Sequence, residues 1–254
     1  DLIRPEDIVV TISNEGYIKR TSLDAFRRQR RGGKGFIGAA TKEEDFIKHI
    51  LLTSTTDTLL FFTNRGIVHW LKGYLIPEGS RVAKGKPIIN LLKIEQGEKI
   101  SAVIPVKEFS NDKFLIMITK NGLVKKTVLQ KYSRPRKGGI IGIDLRQGDE
   151  LMDVKLTDGN SHIILNTKKG LSIRFPEKEV RPVGRNAVGV IGVRFKKKGD
   201  EVVGCEIVNP EEEKLSLLTV CKRGFGKRTL IKEYRVQHRG GKGIIDVKVG
   251  EKNG

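Results

Sequence analysis

Short apolar runs, broken by polar pairs that end in glycine, recur along this chain. Five segments share that grammar: TISNEGYIKRT (11–21), FTNRGIVHWL (62–71), ITKNGLVKKT (118–127), NTKKGLSIRF (166–175) and VCKRGFGKRT (220–229). Their glycines, Gly16, Gly66, Gly122, Gly170 and Gly224, follow one another at intervals of 50, 56, 48 and 54 residues. Two β-rich runs around such a pair spell a hairpin, and Asn121-Gly122 is its strongest form because both residues tolerate positive φ. A polar loop and a glycine-punctuated strand come next (GFIGAAT, KPIINLL, GIIGIDL, AVGVIGV, GIIDVKV). An apolar strand then closes the unit: FIKHILL (46–52), ISAVIPV (100–106), LMDVKL (151–156) and VVGCEIV (202–208).

Four short strands in a repeat of about fifty residues is the arithmetic of propeller blades. The pattern predicts an all-β chain forming one domain over 1–254, with approximate blades at 7–53, 54–107, 108–157, 158–209 and 210–249. The fifth copy lacks its closing strand, so a natural chain that continues into a further blade is expected.

Charge changes the picture next. The 49 Lys and Arg outnumber the 30 Asp and Glu, giving a net charge of +19. Such an excess points to a polyanionic partner, and no apolar run approaches the roughly eighteen residues of a membrane helix. A membrane partner is therefore not expected, and neither is a leader peptide. The two cysteines, Cys205 and Cys221, sit in apolar contexts that predict buried thiols in a reducing cytoplasm. The four histidines and two cysteines form no cluster with metal-ligand spacing, and no nucleophile pattern accompanies them. No catalytic residue and no metal site is predicted.

Cations recur at the third and fourth positions after each turn glycine: Lys19 and Arg20, Lys125 and Lys126, Arg174, and Lys227 and Arg228, with His69 and Trp70 in the second copy. No carboxylate occupies these positions, and radial repetition predicts a rim of positive charge. The loops add Arg27 and Arg28, then Arg134, Arg136 and Lys137, then Arg185, then Arg239 and Lys242. One heptapeptide appears nearly twice, as QRRGGKG at 29–35 and QHRGGKG at 237–243. Its adjacent glycines allow positive φ and close backbone approach, so their N–H groups can meet phosphate oxygens while the arginines add bidentate charge. It does not fit a nucleotide-binding P-loop, since Lys34 is followed by Gly35. Aromatics are only 6% of the chain and lie mostly in apolar runs, which favours duplex backbone over single strands as the target.

On these residues the chain resembles the C-terminal domain of the DNA gyrase A protein. Gln29, Arg30, Arg31, Gly32, Gly33, Lys34 and Gly35 look like the box motif of that family, and the fifty-residue repeats resemble its blades along essentially the whole chain. The resemblance implies a β-pinwheel, a propeller-like disc whose blades exchange strands, commonly six in the family where five are visible here. It also implies wrapping of duplex DNA so that strand passage introduces negative supercoils. Further implications are a holoenzyme that uses ATP and Mg, an A2B2 assembly with the gyrase B protein, a bacterial cytoplasmic and nucleoid-associated setting, and a monomeric isolated domain without a cofactor of its own. Residues 237–243 depart from the box at His238. The C-terminal domain of topoisomerase IV is the nearest alternative, but its box is degraded or missing. A kelch-like interaction scaffold would carry a rim of mixed charge, and a propeller enzyme would need converging carboxylates.

Overall fold

The computed structural model describes residues 2–26, 44–212 and 214–254. They fall into two compact units, Asp1–Glu108 with Pro135–Ile140, and Phe109–Arg134 with Ile141–Gly254. The described residues form strands and short 3-10 turns, with no α-helix among them.

In chain order the strands are β1 (Asp7–Ser13), β2 (Tyr17–Ser22), β3 (Ile47–Ser54), β4 (Thr58–Thr63), β5 (Ile67–Lys72), β6 (Lys86–Pro87), β7 (Ile100–Val106), β8 (Phe114–Thr119) and β9 (Leu123–Val128). They continue as β10 (Ile140–Ile141), β11 (Leu151–Thr157), β12 (His162–Thr167), β13 (Leu171–Pro176), β14 (Val190–Ile191), β15 (Val202–Val208), β16 (Ser216–Val220), β17 (Gly226–Leu230) and β18 (Ile244–Ile245). Four sheets of four strands result, ordered β3-β1-β2-β6, β10-β5-β4-β7, β11-β8-β9-β14 and β15-β12-β13-β18, and β16 pairs with β17 alone.

Each four-stranded sheet holds the hairpin and closing strand of one repeat, plus a two-residue strand from the repeat that follows. The glycine-punctuated segment therefore does not complete its own blade, as the spacing alone suggests. It crosses to the previous one: Lys86 pairs with Ile18, Val190 with Val124, and Ile244 with Ser172. The cause is visible at its leading glycine. A Cβ on Gly85 would lie 2.5 Å from the Ile18 carbonyl oxygen, and one on Gly189 would lie 2.6 Å from that of Val124. Only a bare backbone fits against the neighbouring hairpin.

The hairpin turns differ from the Asn-Gly reading in a second way. The glycine N–H bonds to the carbonyl three residues earlier, as from Gly122 to Thr119 at 3.0 Å, and glycine alone takes positive φ. This is a type I turn closed by a left-handed residue, which explains why Glu, Arg, Asn, Lys and Arg can all precede the glycine. A hydroxyl at the turn's start accepts the N–H beyond the glycine, from Tyr17 to Ser13 and from Leu123 to Thr119 at 3.1 Å each, and Thr63 and Thr167 repeat it. Carboxylates from the segment before the closing strand cap the same turns: Asp45 accepts from the Glu15 N–H, Asp149 from Asn121 and Asp200 from Lys169. Cys221 stands where the other copies have Ser or Thr, and it is half-buried while Cys205 is buried.

In the four-stranded sheets the first strand of the hairpin lies inside and is buried on both faces, so β1, β4, β8 and β12 read as nearly continuous apolar runs. Ile8, Val10, Leu59, Phe61 and Ile88 anchor one core, and Ile116, Ile163, Leu165, Ile173 and Phe175 another. Each such side chain contributes about 1.5–3 kcal/mol by leaving water.

Gly189→Ala tests the strand exchange. At Gly148, also at positive φ but with open space around it, alanine costs about 1–2 kcal/mol from backbone conformation. At Gly189 the collision with Val124 displaces β14, and the cost exceeds the Gly148 value by at least about 2 kcal/mol in urea unfolding.

Candidate nucleic-acid interface

The hairpin cations are placed inside the protein, and this corrects the expectation of a charged rim at four positions. Lys19 is 2% exposed and its Nζ donates to the carbonyls of Ser80, Arg81 and Ala83 at 2.8, 2.6 and 2.9 Å. Lys125 is fully buried, and its Nζ reaches the carbonyls of Gly142, Arg185 and Gly184 at 2.5, 2.7 and 3.3 Å and the Tyr132 hydroxyl at 3.4 Å. Lys126 donates to the Glu177 carbonyl at 3.0 Å and lies 4.0 Å from the Glu177 carboxylate. Arg174 bonds to His162 Nδ1 and to the carbonyls of Ile231 and Tyr234 at 3.1, 3.0 and 3.2 Å. Half-buried Arg20 repeats the theme, with Nε on the Ile76 carbonyl at 2.8 Å and a 3.6 Å ion pair to Glu78.

The physical reason is the next repeat. Where its two-residue strand extends the sheet past the turn, its loop and 3-10 turn lie over the third and fourth positions after the glycine and take them from solvent. The third-position lysine turns under the loop of the next repeat and the fourth-position cation holds that repeat's 3-10 turn. Their recurrence in the sequence marks a joint between repeats. In the second copy His69 and Trp70 replace the pair, and His69 sits against Gly139, whose added Cβ would fall 2.9 Å from Cε1.

Burial lowers the affinity of these amines for protons. Desolvation pulls Lys19 below its ordinary value, and desolvation together with the nearby Arg185 guanidinium brings Lys125 down to about 7. Lys126 is also lowered by desolvation, against the opposing pull of Glu177.

Exposed charge sits in the loops that these joints hold. Arg134, Arg136 and Lys137 are exposed, as are Lys84, Lys86, Arg181, Arg235 and Lys242. Arg185 and Arg239 are half-buried and serve as staples: Arg185 Nη1 donates to the Ile141 carbonyl at 2.9 Å, and Arg239 Nη1 to the Ile191 carbonyl at 2.5 Å. In the fifth hairpin Arg228 is exposed, while Lys227 turns to Asp246, with Nζ donating to its carbonyl and lying 3.4 Å from its carboxylate. Arg27, Arg28 and the heptapeptide Gln29–Gly35 lie outside the described residues.

The second heptapeptide shows what its glycines do. The Gly240 N–H donates to the Gly192 carbonyl at 2.7 Å, and a Cβ on Gly243 would lie 2.5 Å from the Ser172 carbonyl oxygen. These glycines make room for protein backbone, which differs from the expected phosphate contact. His238 and the Arg239 N–H both bind the Glu179 carboxylate, at 2.9 and 2.7 Å. One regularity was missed in the sequence. Arg81, Arg185 and Arg239 each stand four residues before the glycine that opens the exchanged strand, and in the sequence Arg31 has the same spacing to Gly35, a column visible once the loops are aligned on that glycine.

No group of three or more His, Cys, Asp or Glu that could hold a metal ion occurs among the described residues. A model of the DNA gyrase C-terminal domain, beta-propeller family matches residues 7–54, 57–107, 113–158, 161–209 and 216–253, and the chain belongs to that family. It is 50% identical over its whole length to the DNA gyrase A protein of Clostridium acetobutylicum and 45% identical to that of Lawsonia intracellularis, covering 30% and 31% of those proteins. The chain thus spans about a third of the length of these curated relatives. Among solved structures, a DNA gyrase A C-terminal domain is 28% identical with a TM-score of 0.81, over 98% of this chain and 80% of that one. The C-terminal domain of DNA topoisomerase IV is 32% identical with a TM-score of 0.76, over 96% and 73%.

Lys125→Met tests the buried joint through pH. The folded-state value near 7 lies below the ordinary 10.5, so the unfolded chain binds the proton more tightly across that window. The unfolding free energy of the native protein, minus that of Lys125→Met, therefore rises as pH climbs from about 7 toward 10.5 and is flat below it. A difference that is flat throughout shows that Lys125 keeps an ordinary proton affinity.

Proposed function

We propose that this chain binds duplex DNA without sequence preference and bends it along the exposed basic loops, as the DNA-wrapping part of a gyrase A protein. The observation that carries the reading is the set of loop cations, from Lys84 and Lys86 through Arg134, Arg136 and Lys137 to Arg235 and Lys242, each loop laid on the preceding hairpin. Phosphate contacts of this kind fix position and supply affinity without reading bases. The heptapeptide Gln29–Gly35 supplies the densest cluster, with Arg27, Arg28, Arg30, Arg31 and Lys34 free of intervening acids.

The whole protein then works as an ATP-dependent type II topoisomerase that introduces negative supercoils. This chain is its non-catalytic wrapping element, and the holoenzyme joins the A and B proteins as A2B2 and uses ATP and Mg. Its setting is the bacterial cytoplasm and nucleoid. No helix among the described residues is long and apolar enough to cross a membrane. The box at Gln29–Gly35 favours gyrase over topoisomerase IV.

If roughly eight to ten phosphates are neutralised, log K falls against log salt with a slope of about −7 to −9. A slope shallower than about −3, or preference for single strands, contradicts continuous backbone binding. Replacing Arg30, Arg31 and Lys34 together with alanine weakens affinity modestly. Bending by end-to-end FRET, and supercoiling by the full enzyme, are lost while relaxation survives.

A further inference from the structure

Two of the loops share a geometry that goes beyond exposed side chains. In the loop Gly79–Gly85 the Ala83 N–H bonds to the Ser80 carbonyl at 3.1 Å, and in Pro182–Gly189 the Ala187 N–H bonds to the Gly184 carbonyl at 3.3 Å. Both turns start five residues before the glycine of the exchanged strand, and both lie directly over a buried lysine. Lys19 draws in the carbonyls of Ser80, Arg81 and Ala83, and Lys125 those of Gly184 and Arg185.

A trans peptide is planar, with its C=O and N–H pointing in opposite directions, and the described chain has no cis peptide. Every carbonyl turned down to an ammonium therefore turns the N–H of the next residue away from it. For Lys125 these are the N–H groups of Arg185 and Asn186, and for Lys19 they include those of Val82 and Lys84. Asn186, Val82 and Lys84 are exposed, so this side of each turn faces solvent. Consecutive N–H groups aimed at one side form an anion-binding concavity. A buried positive charge behind them adds to the same field, little screened by salt. The Arg185 guanidinium stands beside the concavity, stapled to the Ile141 carbonyl.

We propose that the turn Gly184–Ala187, backed by Lys125, and the turn Ser80–Lys84, backed by Lys19, are phosphate-binding sites, and that the two buried lysines are positioning residues for them. The inference rests on the DNA-binding reading above, and its ligand is a phosphodiester of duplex backbone. Neither lysine touches the duplex. Each orients a strip of peptide dipoles that does.

The test is amide spectroscopy of the 254-residue chain titrated with a short mixed-sequence duplex. In the native protein the Arg185, Asn186, Val82 and Lys84 amides shift downfield on binding. In Lys125→Met the Arg185 and Asn186 shifts vanish while Val82 and Lys84 still respond, and Lys19→Met gives the converse. The slope of log K against log salt becomes shallower by about one in each variant. Should a variant fail to fold, the native protein answers through pH. The groups facing the Lys125 ammonium are the Arg185 guanidinium and the Tyr132 hydroxyl, so the Arg185 and Asn186 responses fade as pH rises through about 7. Duplex binding with these amides unmoved, or moved equally in Lys125→Met, overturns the sites and leaves the functional reading standing. Loss of all duplex binding by the native chain overturns both.

Discussion

A buried cation bonded to the backbone of the next repeat is the constraint on which this protein depends. Moving an ammonium or guanidinium out of water costs several kcal/mol unless its donors are met. Lys19 and Lys125 meet theirs with converging carbonyls, Lys126 with a carbonyl and a carboxylate, and Arg174 with two carbonyls and an imidazole. The Gly142 carbonyl and the His162 imidazole come from the cation's own repeat, but the other acceptors are in place only when the following repeat has laid its loop across the hairpin. Removing one partner strands either a charge or several carbonyls, at about 1–3 kcal/mol for each unmet neutral group. Folding of one repeat and docking of the next are therefore tied together.

That tie explains what could be read from the chain and what could not. The hairpins and closing strands were legible because their apolar runs are local: Ile100–Val106 and Val202–Val208 occupy the spans the pattern gives. The exchanged strands were not, because only two residues of each pair and their partners lie in another repeat. The cation columns were read as a rim because a charged strand face ordinarily meets water. Lys19 and Lys125 lie instead under the loops Gly79–Gly85 and Pro182–Gly189 of the next repeat, which no local pattern around the lysines shows. Glycines told a similar half-truth. Gly240, one of the adjacent pair, was legible as a place of close backbone approach, but its N–H meets the Gly192 carbonyl of the protein itself.

Function follows from the division of labour this produces. One set of cations is sealed inside as fastening, and a second set stays exposed, in the loops so fastened and in the Arg134–Lys137 loop that lies against His69. A duplex bent through 40–90° over 20–30 base pairs stores roughly 1–6 kcal/mol, which pushes back on whatever holds it. Loops anchored by charge and hydrogen bonds beneath resist that push better than loops free to shift. The proposed hold on bent DNA rests on these anchored loops, in a chain that belongs to the DNA gyrase C-terminal domain, beta-propeller family.

Hydrogen exchange in Lys19→Met tests the central claim most directly. The Gly79 N–H bonds to the Arg20 carbonyl and the Ile88 N–H to the Gly16 carbonyl, at 3.0 and 2.8 Å, so both amides report on the docked loop. With the lysine removed, these amides lose protection together while those of β1 and β4 keep theirs. Protection at Gly79 and Ile88 that matches the native protein would contradict the account, because the loop would then be held without its buried cation.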